Sequence, residues 1–180
     1  VTGMDFREAL KSVAEYLRVG IIPRPFGGRT ISRQTRKGED DEKSRQALNR
    51  VWNESIALSH PDAEPARLYL ARRGISIRQP ETLRLHSSLA YFEDRKEIGT
   101  FPAMLAMVQG HGGNAITIHR TYLTEDGYKA PVESPKKLMR YPSQRKLSGG
   151  VIRLVEAGAV LAVAEGLETA LAVMEGTKMP

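Results

Sequence analysis

Residues 160–180 read VLAVAEGLETALAVMEGTKMP, and the assignment of this stretch decides the architecture. Val160 to Ala164 are consecutive apolar residues, the pattern of a strand buried on both faces of a parallel sheet. Glu165-Gly166 interrupts the run, and the residues that follow are spaced as a helix. A strand running directly into a helix is a βα unit. Such a unit cannot cover both faces of a sheet and is expected to open a larger α/β layer.

Upstream the pattern differs. AMLAMVQGHGGNAITIHRTYL, residues 103–123, is two apolar runs joined by a Gly-rich turn, which predicts a β-hairpin. TLRLH at 82–86 predicts a short strand, TEDGYKAP at 124–131 a turn, and the stretch from Val151 to Gly166 two more short strands. Helical spacing runs through Ala47, Leu48, Val51, Trp52 and Ile56 in KSRQALNRVWNESIALS. PARLYLARRG forms another helix, opened by Asp62 to Pro65 and ended by Gly74. Trp52 and Tyr69 are expected as core between these two helices, with stacking on a base as the alternative. DFREALKSVAEYL, residues 5–17, has a period-3.6 apolar stripe and a capping box from Asp5 to Glu8. Between it and the later helices, residues 20–42 hold prolines, glycines, a basic cluster (Arg29, Arg33, Arg36, Lys37) and the acids 39–42, which predicts a linker. The expected class is α+β: a helical N-terminal part and antiparallel strands leading into the first βα unit of an α/β domain.

Composition narrows the function classes. The 180 residues are 41% hydrophobic and 27% charged, enough for a packed core. With no cysteine, disulfide scaffolds and thiolate zinc sites are excluded within the chain, and a cytoplasmic protein fits. His60, His86, His111 and His119 have no metal-type spacing. No apolar run reaches the roughly 18 residues of a membrane span, and the N-terminus has no signal-peptide pattern. The net charge of +6 permits nucleic-acid binding without requiring it. Phosphate-loop and serine nucleophile-elbow motifs are absent.

Two sets of residues carry candidate chemistry. Glu165 falls at the C-terminal end of the expected buried strand, the edge where open α/β sheets place ligands. A carboxylate there can hold a divalent cation or exchange a proton, or it can simply favour the helix N-terminus. Local chemistry leaves both open. Between residues 119 and 146, Arg120, Lys129, Lys136, Lys137, Arg140, Arg145 and Lys146 are interleaved with Tyr122, Tyr128 and Tyr141. Such cations neutralise phosphates, and the rings can stack on unpaired bases. A solvated connection broken by Pro131, Pro135 and Pro142 is the other reading.

VLAVAEGLETALAV resembles the first motif of the toprim fold, the metal-binding α/β module of primases, of type IA and type II topoisomerases and of related nucleases. Glu165 and Gly166 match its Glu-Gly pair. Thr169 stands where many replicative primases carry aspartate, and EGLETAL is similar to the variant of phages, plasmids and integrated elements. The order of HRTYL, then SPKKLMRYP, then this strand also resembles the primase polymerase core. Arg120 would match the arginine of its first motif and Lys136 the lysine of its second. Ile118-His119 replaces the expected glycines. The first helix is similar to the segment after the zinc ribbon in these primases.

This resemblance implies a primase that joins ribonucleoside triphosphates on a single-stranded DNA template with Mg²⁺ or Mn²⁺, and that works beside a replicative helicase. Glu165 would be the catalytic and metal-binding acid. Arg120, Lys136, Lys137 and Arg140 would grip template or triphosphate. The implied layout is a helix at 1–19 after a missing zinc-bearing module, a linker at 20–42, a primase-core subdomain at 43–157, and a truncated toprim start at 158–180. No aspartate follows Glu165, so the Asp-x-Asp that should complete the metal site is missing and the chain itself is expected to be inactive. A non-catalytic module for single-stranded nucleic acid and a toprim nuclease are the alternatives.

Overall fold

The computed structural model describes residues 34–76 and 80–178. The helix expected at 5–17 lies outside them. The elements in chain order are α1 (Gln34–Asn53), β1 (Ile56–Ala57), a 3-10 turn (Pro61–Ala63), α2 (Glu64–Ala71), β2 (Leu83–Glu93), β3 (Lys96–Gln109), β4 (Ala115–Tyr122), β5 (Lys136–Leu138), β6 (Val151–Ile152) and α3 (Leu167–Thr177). The class is α+β, as expected. The strands form one antiparallel sheet in the order β1-β2-β3-β4-β5, with β6 pairing the end of β3.

Alternation along the strands sorts the core into two layers. Leu83, Leu85, Met104 and Ala106 face α2 and α3, where they pack with Ala66, Tyr69, Leu70 and Leu171. Ala103, Leu105, Ile118 and Tyr122 face the other way, onto Leu48 and Val51 of α1. Leu83, Leu85, Leu89 and Tyr91 share one parity, yet the first two serve one layer and the last two the other. A register shift between His86 and Leu89 explains this, because one extra residue turns every later side chain to the opposite face. Tyr91 thereby meets Tyr122 edge to face at 4.9 Å between centroids.

The β3–β4 hairpin forms as predicted, closed through Gly110–Asn114 with Gly113 at φ +79°. The strand at 82–86 is longer than expected, reaching Glu93. Gly74 ends α2 at φ +71°. Trp52 and Tyr69 do not share a core between helices. Tyr69, on α2, is buried in the core that α2 and α3 share with the sheet. Trp52, on α1, is half-buried against the core on the opposite face, because the sheet separates the two helices.

Two further expectations change. Residues 34–42 are helix rather than linker. Asp41 is buried and accepts hydrogen bonds from the Ser143 amide and hydroxyl, both at 2.8 Å, so an acid that reads as solvated is an anchor. Val160–Ala164 forms no strand. Among the described residues nothing pairs with its backbone, and Val160, Leu161 and Val163 are 58%, 56% and 73% exposed. A strand needs a ladder partner, and apolar composition does not substitute for one. The helix after it does form, and its Leu171 is fully buried against the same core as Tyr69.

Candidate nucleic-acid interface

β4 and β5 bring the two basic segments together. Pairing sets Arg120 opposite Lys137 and Thr121 opposite Lys136. Because side chains alternate, Arg120 and Lys137 lie on the α1 side while Lys136 lies on the α2–α3 side. The four cations expected to act as one grip are thus divided by the sheet.

On the α1 side, Arg120 is half-buried and donates to the Tyr122 hydroxyl at 2.8 Å and to the Leu138 carbonyl at 2.9 Å. Among the described residues its Nε has no acceptor. Lys137 sits 4.1 Å from the centroid of the Tyr91 ring and donates to the Phe92 carbonyl at 2.8 Å. An ammonium has three donors, so this contact leaves it capacity for an anion. Arg140 follows on the same side and pairs with Asp40 at 3.1 Å, both well exposed. Exposed pairs of this kind contribute little and exchange readily.

On the other side, Lys136 holds Glu168 at 2.7 Å. The Tyr69 hydroxyl donates to the same carboxylate at 2.5 Å. Burial alone would raise the Glu168 carboxyl, but the bond from Lys136 and then that from Tyr69 outweigh it and hold the pKa at about 2. Burial pushes the Tyr69 hydroxyl up, and its bond to Glu168 pushes further. Burial and the Lys136 charge both lower His119, whose Nδ1 finds no partner among the described residues. Glu168 was not singled out from sequence, and Tyr69 was read only as core or a stacking ring, not as a partner of a carboxylate. Only the helical spacing after Gly166 offered a signal, since it turns Glu168 inward with Leu171.

Glu165 is exposed, one turn before Glu168, ahead of the helix that Gly166 caps. Among the described residues no three His, Cys, Asp or Glu side chains gather to hold a metal ion. Glu165 therefore offers one carboxylate, and the described residues do not complete a cage for Mg²⁺ or Mn²⁺.

Residues 42–149 match the model of a family described as "Domain of unknown function (DUF7146)". The chain belongs to that family. The matched span runs from within α1 to just before β6, so it holds Arg120, Lys136, Lys137 and Arg140 but neither Glu165 nor Glu168. No curated protein and no solved structure matches the chain. Among the described residues no helix is long and apolar enough to cross a membrane.

Proposed function

We propose that this DUF7146 chain is the template-gripping part of a toprim-type DNA primase of a mobile element, and that it binds single-stranded nucleic acid. One observation carries the reading: strand pairing sets Arg120 across from Lys137, with Arg140 just beyond, on one side of the sheet. These cations come from two sequence segments that resemble successive primase motifs. The basic balance of +6 is compatible with a polyanionic partner. In a protein carrying the remainder of a toprim domain, Glu165 would be its acid at the reaction centre, with ribonucleoside triphosphates as substrates. The described residues support the binding role more directly than the chemistry, so a binding module without synthesis of its own is the second reading.

Fluorescence anisotropy with a labelled single-stranded oligonucleotide tests the binding role. Affinity should fall steeply with salt, and Lys137→Ala or Arg140→Ala should each flatten the log–log slope by roughly 0.7. Binding indifferent to salt would overturn it. Primer synthesis separates the two readings: the primase reading requires it of the intact protein and requires its loss in Glu165→Ala.

A further inference from the structure

The turn at 124–128 carries a second feature. Tyr128 is 53% exposed, an unusual place for a large ring. Its position is nevertheless fixed from three directions. The Arg72 guanidinium lies 4.1 Å from the ring centroid. The same guanidinium donates through Nε and one terminal nitrogen to the Asp126 carbonyl, at 3.2 and 3.0 Å. The Tyr128 amide donates to Thr124 Oγ1 at 3.0 Å, and its carbonyl accepts from the Thr124 amide at 2.8 Å.

The turn is also pressed onto α2. Gly127 has φ +78°, and a Cβ there would sit 2.5 Å from the Leu68 Cβ and 2.7 Å from the Tyr69 amide nitrogen. Only glycine permits so close an approach. The ring therefore stands in solvent on a clamped turn, with a cation across one face.

We propose that Tyr128, backed by Arg72, is a stacking platform for an unpaired base of single-stranded nucleic acid. This rests on the nucleic-acid reading above and adds to it an aromatic contact on the α2 side of the sheet, opposite the side of Arg120 and Lys137. A strand that meets both must cross the sheet edge. A planar base stacks on an aromatic face regardless of its sequence, and a ring already held in place loses little freedom on binding. Arg72 gives the stack a positive underside. Lys129, exposed next to the ring, places further positive charge for a flanking phosphate. Arg73, just past the end of α2, is instead held by Tyr69, 3.7 Å over its ring and donating to its carbonyl at 2.8 Å. Glu125 and Asp126 lie in the same turn, and the Asp126 carboxylate is engaged by the Thr124 hydroxyl.

The test is oligonucleotide binding by the full chain and by Tyr128→Ala, Tyr128→Phe and Lys129→Ala. Tyr128→Ala should weaken binding roughly ten-fold while leaving the salt slope unchanged, because stacking releases no counterions. Tyr128→Phe should restore most of the affinity. Lys129→Ala should instead flatten the slope. An unaltered melting temperature in Tyr128→Ala would show that the ring is not needed for folding. If the parent chain binds and Tyr128→Ala binds equally well, the platform is overturned and the nucleic-acid reading survives. If the parent chain does not bind at all, both fail.

Discussion

Two apolar runs of nearly the same composition meet opposite fates. Ala103–Val108 lies in β3, and all but Met107 of its residues are buried. Val160–Ala164 lies mostly exposed and forms no strand. The first run has β2 on one edge and β4 on the other, with a helical layer over each face. The second has neither among the described residues. Hydrophobicity gives a segment the capacity for burial, while ladder partners and covering layers decide whether it is used.

That contrast can be broken most forcefully at Leu105, which has no exposed surface. Leu105→Ala should cost about 2–5 kcal/mol, read by urea denaturation, because the cavity lies between the sheet and α1. A loss under 1 kcal/mol would mean that α1 does not cover this face in solution. Gly127→Ala comes next, at about 2–3 kcal/mol or more, since it combines a positive φ with a clash against α2. A neutral result would detach the turn from α2.

Glu168 sharpens the comparison, because it ties the otherwise sparsely covered C-terminal segment to the core. Its folded pKa of about 2 lies below the ordinary carboxylate value of 4.5. The stabilisation is therefore fully present above pH 4.5 and is lost as pH falls toward about 2. Glu168→Gln should lower the melting temperature at pH 7 and flatten its decline between pH 4.5 and 2. An unchanged acid limb would remove the ion pair from the account. The smallest effect is expected at Leu161, where alanine should change stability by no more than about 0.5 kcal/mol. A larger loss would show that the run is covered in solution after all.

Several elements were legible because their signals are local. The β3–β4 hairpin follows from two apolar runs around Gly-Gly, and α2 from its proline start and Gly74 end. The basic pairing on β4 and β5 was half legible: the residues stand out in sequence, but their division between faces depends on register. The anchoring role of Asp41 was hidden, since an acid in a charged block is buried only when a distant Ser143 reaches it. The Lys136–Glu168–Tyr69 contact was hidden for the same reason, as it joins three elements that sequence spacing does not relate.

By itself, then, the sequence determined the β3–β4 hairpin, the helices α2 and α3 and the basic character of the segment from Arg120 to Arg140. These depend on periodicity, turn chemistry and charge, which each residue carries with it. Only the tertiary structure decided that Leu89 and Tyr91 turn to the α1 side, that Glu168 rather than Glu165 meets Lys136, and that Val160–Ala164 stays without a ladder. Each of these is set by which backbone lies alongside, and a residue does not encode its neighbour across the sheet.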